Sequence, residues 1–385
     1  MNYPASLRSK LPRVPTSIFA VMSKMANDYG ALNLSQGFPD FSISEELIHL
    51  VHKYMKAGVN QYAPMPGIPS LRGAIAEKLK FLYGSSYDIE TEITVTAGAT
   101  QALFTAISAL VKEDDEVIVF TPAYDSYVPA IELAGGKPVF VQLEAPDYKV
   151  NWDYVKKLIN NKTRMILLNS PHNPTGTILE KEDLLALEKL TKHNDIIILS
   201  DEVYEHIIFD GYKHQSMARY PDLAMRSMVV GSFGKTFHAT GWKMGFCAGP
   251  ENLMKEFRKV HQFNVFSVNT PIQYAIAEFM QDKQNYTGVS SMYEAKRDLF
   301  LNSIKPSKFK PLDCKGTYFV LLDYSAITQE VDTDFAIRLT KEKKIASIPV
   351  SVFYNDPLDQ KVLRFCFAKS DETLKKAADI LNSIG

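Results

Sequence analysis

Cysteine is scarce: Cys247, Cys314 and Cys366 are the only three in 385 residues. An odd count with no pairing pattern argues against a disulfide framework. It fits a reducing compartment, with lone thiols serving as core. No C-x-x-C and no H-E-x-x-H occurs, so no metal site is predicted. An excess of either charge is also missing, because 43 Lys and Arg balance 44 Asp and Glu for a net charge of -1. Without a basic block, neither nucleic acid nor a membrane surface is expected as a partner. No apolar run approaches the roughly 20 residues that span a bilayer. The opening stretch MNYPASLRSKLPRVP has basic residues but no apolar centre, so no secretory signal is predicted. A soluble cytoplasmic protein is the expectation. Internal repeats and low-complexity segments are absent as well.

What is present is the balance of a chain that buries a large core: 46% hydrophobic and 23% charged residues. The length suggests roughly two or three domains. Between about residues 90 and 250, short apolar runs alternate with helical patterns. The runs are Ile93–Thr96, Glu116–Phe120, Pro138–Val141, Arg164–Leu168, Ile196–Leu199, Met228–Val230 and Met244–Cys247. Nearly continuous apolar segments fit strands covered on both faces, as in a mostly parallel sheet. Helical patterns such as Ala102–Leu110 and Glu182–Leu190 lie between them, which predicts an α/β layered domain. After about residue 280 the order changes to a long helical segment near Tyr286–Ile304, a strand near Thr317–Leu322, a helix near Thr333–Lys343, a strand near Val362–Phe367 and a last helix. That reads as a smaller α+β domain.

The stretch Gly231-Ser-Phe-Gly-Lys-Thr-Phe237 looks like a phosphate loop, but the spacing fails. A nucleotide loop needs a glycine five positions before Gly234, and that position is Val229. In doubly wound sheets, ligands sit at the carboxyl ends of the strands. One strand end is followed by Gly98-Ala99-Thr100 and a helix start, where free N–H groups favour an anion. Others lead to Asn173-Pro-Thr-Gly176, to Asp201-Glu-Val-Tyr204 and to Lys235. Each has an ordinary explanation: Asp201 as a helix cap, NPTG as a turn, Lys235 as a surface charge. Together they supply an anion cradle, a lysine amine and a carboxylate. A phosphorylated aldehyde cofactor needs those three groups.

The residues then resemble a known family. Ser35-Gln-Gly-Phe-Pro-Asp40, Gln61-Tyr62, Gly98-Ala-Thr100, Pro122-Ala-Tyr124, Asn173–Gly176, Asp201–Tyr204, Ser232-Phe-Gly-Lys235, Gly241-Trp-Lys243 and Arg364–Lys369 are similar, in order, to motifs of the fold-type I pyridoxal-phosphate aminotransferases of class I/II. Within that family, SFGKTFHATGWKMGF, HQFNVFSVNTP and RFCFAKSDETL resemble the methionine and kynurenine aminotransferases. The resemblance implies a mostly parallel seven-stranded sheet sandwiched by helices, with a smaller α+β domain. It suggests residues 1–44 packing with the small domain, 45–280 as the large cofactor-binding domain and 281–385 as the small one.

It further implies that pyridoxal 5'-phosphate is bonded by Lys235, which later shuttles protons. Asp201 would pair with the ring nitrogen, Tyr204 and Asn173 would bond the ring oxygen, and Tyr124 would stack on the ring. Gly98, Ala99, Thr100, Ser232 and Lys243 would hold the phosphate, with Tyr62 reaching over from a second subunit of a homodimer. Arg364 sits in a strand pattern. On its own it reads equally as an edge residue with its head in water; the resemblance makes it the grip on the substrate carboxylate. Asn173 and Gly37 join it, with Phe19, Phe38, Tyr62 and Phe266 around the side chain, the last two from the partner. The implied substrates are methionine or aromatic and hydrophobic amino acids and a 2-oxo acid. A pyridoxal-dependent β-lyase and a kynurenine aminotransferase are the alternatives. Position 267 is serine where the kynurenine enzymes usually carry histidine, which favours the methionine branch. A DNA-binding sensor has no room before residue 35, where the motifs begin.

Overall fold

The computed structural model describes residue 1 and residues 5–384. Helix α1 (Ile18–Asp28) leads into the short strand β1 (Leu32–Asn33), followed by α2 (Glu45–Lys56) and α3 (Pro69–Tyr83). The large sheet begins with β2 (Ile93–Thr96), which feeds helix α4 (Ala99–Leu110). Its other strands are β3 (Glu116–Thr121), β4 (Lys137–Gln142), β5 (Thr163–Asn169), β6 (Ile197–Asp201), β7 (Ser227–Ser232) and β8 (Gly245–Ala248). The order across the sheet is β2-β8-β7-β6-β5-β3-β4. The pairs β4–β3, β3–β5, β5–β6 and β6–β7 are parallel, while β8 runs antiparallel to β7 and β2. The mostly parallel seven-stranded sheet is therefore present, and each of the seven apolar runs supplies one strand.

Successive strand residues point to opposite faces, and both faces here are covered. Val117, Val119, Leu167 and Leu199 pack with Leu103 and Ile107 of α4 on one side. Ile118, Phe120, Ile166, Leu168 and Ile198 pack with Val155, Leu184 and Leu187 on the other. This explains why the runs lack a polar alternation.

The second sheet holds β9 (Lys310–Pro311), β10 (Phe319–Asp323), β12 (Ile348–Pro349) and β13 (Val362–Cys366) in the antiparallel order β12-β13-β10-β9. Strand β11 (Ile345–Ala346) pairs in parallel with β1. Met22 of α1 and Leu34 join the core of this second layer, beside Phe319, Phe365 and Leu374. The helix over Asp332–Arg338 widens into a π-turn over Leu339–Lys343, ended by Lys344 in the left-handed region at φ 58°. Among the described residues, no helix is long and apolar enough to cross a membrane, and no cluster of His, Cys, Asp or Glu could hold a metal ion.

Two register facts place the site. Asn169 pairs with Asp201 across β5 and β6, so both strands end level, and β7 runs on to Ser232 beside them. Gly231 of β7 makes room for the buried ring of Phe246: a Cβ there would stand 2.2 Å from Phe246 Cε1. The substitution Gly231→Ala is expected to overpack this contact and lower stability by about 1–3 kcal/mol, read as a lower urea midpoint.

Candidate active site

A cavity of about 240 Å³ opens at the carboxyl ends of β2, β5, β6 and β7. Its wall includes Gly37, Gly98, Ala99, Thr100, Asp201 and Lys235. Tyr124, Asn173, Tyr204, Ser232, Lys243 and Arg364 are among its other polar residues, and Phe19 reaches in from α1. Residues far apart in the chain thus meet in one place.

One end of the cavity is built for an anion. Gly98, at φ 82°, turns the chain from β2 into α4, whose first N–H groups have no partner within the helix. The positive φ of Gly98 is the left-handed backbone that favours glycine, while a Cβ there would make only an ordinary 3.5 Å contact with Lys243 Nζ. Ser232 caps the turn Phe233–Thr236 by accepting from Lys235 N at 3.3 Å.

Asp201 ends β6 and is buried. It accepts from Tyr127 Oη at 2.6 Å and from Val203 N at 3.3 Å. Burial pushes its carboxyl up to about 6, against the Tyr127 hydroxyl, the Val203 amide and the Lys235 charge. A carboxylate in that state gains from a cation placed against it.

Lys235 is walled in by protein yet faces the cavity. Its Nζ donates to Tyr318 Oη at 2.6 Å and to the Gly37 carbonyl at 3.2 Å. Burial pulls it down to about 8, helped by Arg364 and Lys243 and opposed by Cys366 and Asp201. A substantial neutral fraction therefore exists just above neutral pH, as a general base requires.

Arg364 is not at an edge. β13 lies between β12 and β10, and the side chain is 1% exposed. Its guanidinium lies 3.9 Å from the Phe319 ring centroid and 5.1 Å from that of Phe19. It donates to Asn173 Oδ1 at 2.8 Å and to the Ser35 carbonyl at 2.9 Å, while its Nε is buried with no partner. Burial lowers it to about 10. Both partners are neutral, so the cation is left to meet an anion from the cavity.

Phe38, Tyr62 and Phe266 do not line this cavity within the chain. Phe38 is 45% exposed, with its carbonyl held by Lys369 Nζ at 2.8 Å. Tyr62 is 83% exposed and packs edge-on against Phe266 at 5.3 Å. Conversely, Tyr127, Asn169, Tyr318 and Phe319 reach the site without having been singled out. Asn169 stands directly at a strand end, and its Oδ1 accepts from Asn173 N at 2.8 Å. The three aromatics sit in sequence that reads as core.

Residues 29–381 match the family described as aminotransferase class I and II. The chain belongs to that family. It is 46% identical to the methionine aminotransferase of Escherichia coli over 384 residues, with all of both chains covered. It is 35% identical to human kynurenine–oxoglutarate transaminase 3, covering 97% of this chain and 89% of the relative. A solved Escherichia coli structure identified with a methionine aminotransferase function superposes with a TM-score of 0.97 at 46% identity, covering 99% of this chain and 100% of that one. The aspartate aminotransferase of Thermus thermophilus solved with maleate gives 0.89 at 30% identity, covering 98% and 99%. The aminotransferase is thus a fold-type I enzyme that depends on pyridoxal 5'-phosphate.

The raised carboxyl of Asp201 has a measurable consequence in the cofactor-free aminotransferase. Folding favours the protonated acid, so above about pH 6 the buried anion weakens the native state. Below the ordinary value of 3.8, both states are protonated and the cost is gone. Cofactor-free Asp201→Asn is expected to be more stable than the parent by roughly 1–3 kcal/mol at pH 8. Urea unfolding should show that gap closing as the pH falls through 6 towards 4.

Proposed function

We propose that this aminotransferase moves the amino group of methionine, and of aromatic or other hydrophobic amino acids, to a 2-oxo acid, and that the cavity above is where it does so. The carrying observation is Arg364: a buried cation with an unpartnered Nε, resting on the faces of aromatic rings. That arrangement suits an α-carboxylate attached to an apolar, polarisable side chain. The lining carries no cation beyond Lys235, Lys243 and Arg364, so an acidic side chain has no counter-ion of its own. The 46% identity to a methionine aminotransferase supports the same donor. Ser267 spends its hydroxyl on the Ala63 carbonyl at 3.0 Å, which leaves Phe266 and Tyr62 as the aromatic presentation of that loop.

The residues fit pyridoxal 5'-phosphate on the grounds of their own chemistry. The glycine turn at α4, the Ser232 hydroxyl and the Lys243 ammonium, with Ala99 and Thr100, would hold the phosphate. When bound, the cofactor supplies an electrophilic aldehyde and a cationic ring that accepts electron density. Asp201, steadied by Tyr127, would keep the ring nitrogen protonated. Arg364 donates to the Oδ1 of Asn173, which would leave the Asn173 amide N–H for the ring oxygen, beside Tyr204. Tyr124 would cover one ring face. Arg364 would grip the substrate carboxylate, and the Lys235 amine would take the α-proton as general base and carry it as the ammonium. Ping-pong kinetics follow, because donor product leaves before acceptor binds.

A homodimer completes the site. Tyr62, Phe263 and Phe266 are exposed aromatics on one chain, and a second copy would cover them while lending Tyr62 and Phe266. Three free, buried thiols suit a reducing cytoplasm.

Borohydride treatment of the holoenzyme is expected to fix the cofactor on Lys235, mapped by peptide mass spectrometry; label on another lysine would refute the assignment. Lys235→Ala should abolish turnover and keep the fold. Arg364→Lys loses the fork and should cut kcat/KM for methionine about tenfold or more. In a donor panel, methionine should exceed kynurenine and aspartate. Pyruvate release from cystathionine as the dominant reaction would make the enzyme a β-lyase instead. Sedimentation should give a dimer, and full activity in a monomer would contradict the shared site.

A further inference from the structure

Tyr318 stands at the entry to β10 with its side chain fully buried. Its ring is wedged edge-on to Tyr204 at 5.2 Å and to Phe319 at 4.9 Å, with Tyr293 at 5.6 Å. A phenol has one proton to give and can accept in return. The proton goes to the Gly37 carbonyl, so the acceptor side of the oxygen faces Lys235. Lys235 Nζ also reaches the Gly37 carbonyl. A neutral amine has two N–H bonds and one lone pair. Both N–H bonds have acceptors here, and the lone pair is left for the cavity. Gly37 itself is seated tightly, since a Cβ there would stand 2.6 Å from Phe319 Cζ.

We propose that Tyr318 is a positioning residue for the transamination. Its hydroxyl, anchored on Gly37, holds the released Lys235 amine with the lone pair turned to the substrate α-carbon, and so ties the base to the seating of residues 35–40. This rests on Lys235 being the base. A lysine carries four rotatable bonds, and fixing them beforehand is what makes the proton transfer effectively unimolecular. The other charged or titratable groups around Lys235 are Asp201 on β6, Arg364 and Cys366 on β13, and Lys243. The Tyr204 ring lies 5.5 Å away. None of these supplies the second acceptor.

The test uses Tyr318→Phe, which keeps the ring, and Tyr293→Phe as control. Tyr293 packs against the same ring but hydrogen-bonds His238 Nδ1 at 2.9 Å. In cofactor-free protein, acetic anhydride labelling of Lys235 across pH, read by peptide mass spectrometry, reports the amine's titration. Loss of an acceptor weakens the ammonium, so Tyr318→Phe is expected to titrate at lower pH, with Tyr293→Phe unchanged. In holoenzyme, kcat for methionine should fall roughly tenfold while KM stays within twofold. Parent-like titration and kcat in Tyr318→Phe, with borohydride still marking Lys235, would overturn the role of Tyr318 alone. Borohydride label on a different lysine would overturn it together with the assignment of the base.

Discussion

Asp201, Lys235 and Arg364, carried by two different sheets, are held out of water around one cavity without full neutralisation, and the rest of the cavity follows from that constraint. Each is pushed by burial towards its uncharged form. Under the function proposed above, each would meet a partner of the opposite kind: a cation for Asp201, an electrophile for Lys235 and an anion for Arg364. A chain selected for stability alone would pair such charges with one another or replace them with apolar groups. Here they are kept apart by neutral hydrogen-bond partners, Tyr127, Tyr318, Asn173 and two backbone carbonyls. Those partners fix geometry without satisfying charge.

The parallel sheet makes this affordable. Its strands end level, so Asn169, Asp201 and Ser232 reach the rim from neighbouring ladders while their backbones stay paired. The apolar layers on both faces anchor those ends. The glycine turn into α4 adds unpaired N–H groups at the same rim. Position at the edge, rather than any one side chain, converts an ordinary α/β sheet into a binding surface.

This logic explains what could be read from sequence. Continuous apolar runs announce doubly covered strands, and the polar residues just beyond them meet in one cavity. Arg364 was ambiguous because its strand could have been an edge; only the pairing of β13 with both β10 and β12 decides its burial. Tyr127 and Tyr318 were missed for the opposite reason. A tyrosine among apolar neighbours looks like core, and both are core by burial, with only the hydroxyl at work. Tyr62 and Phe266 do not line this cavity within their own chain, so the expectation that they belong to it rests on resemblance and on no local pattern.

The segment around residues 34–40 closes the picture. The Leu34 carbonyl accepts from Cys366 N at 2.8 Å, and the Ser35 carbonyl accepts from Arg364. The Gly37 carbonyl takes Lys235 and Tyr318, and the Phe38 carbonyl takes Lys369. Four carbonyls of one short stretch thus hold Arg364, Lys235, Lys369 and the backbone of Cys366. Arg364 and Lys235 are thus seated on separate carbonyls of one short segment, and the bent backbone of residues 35–38 is as much a part of the cavity wall as the lysine it holds.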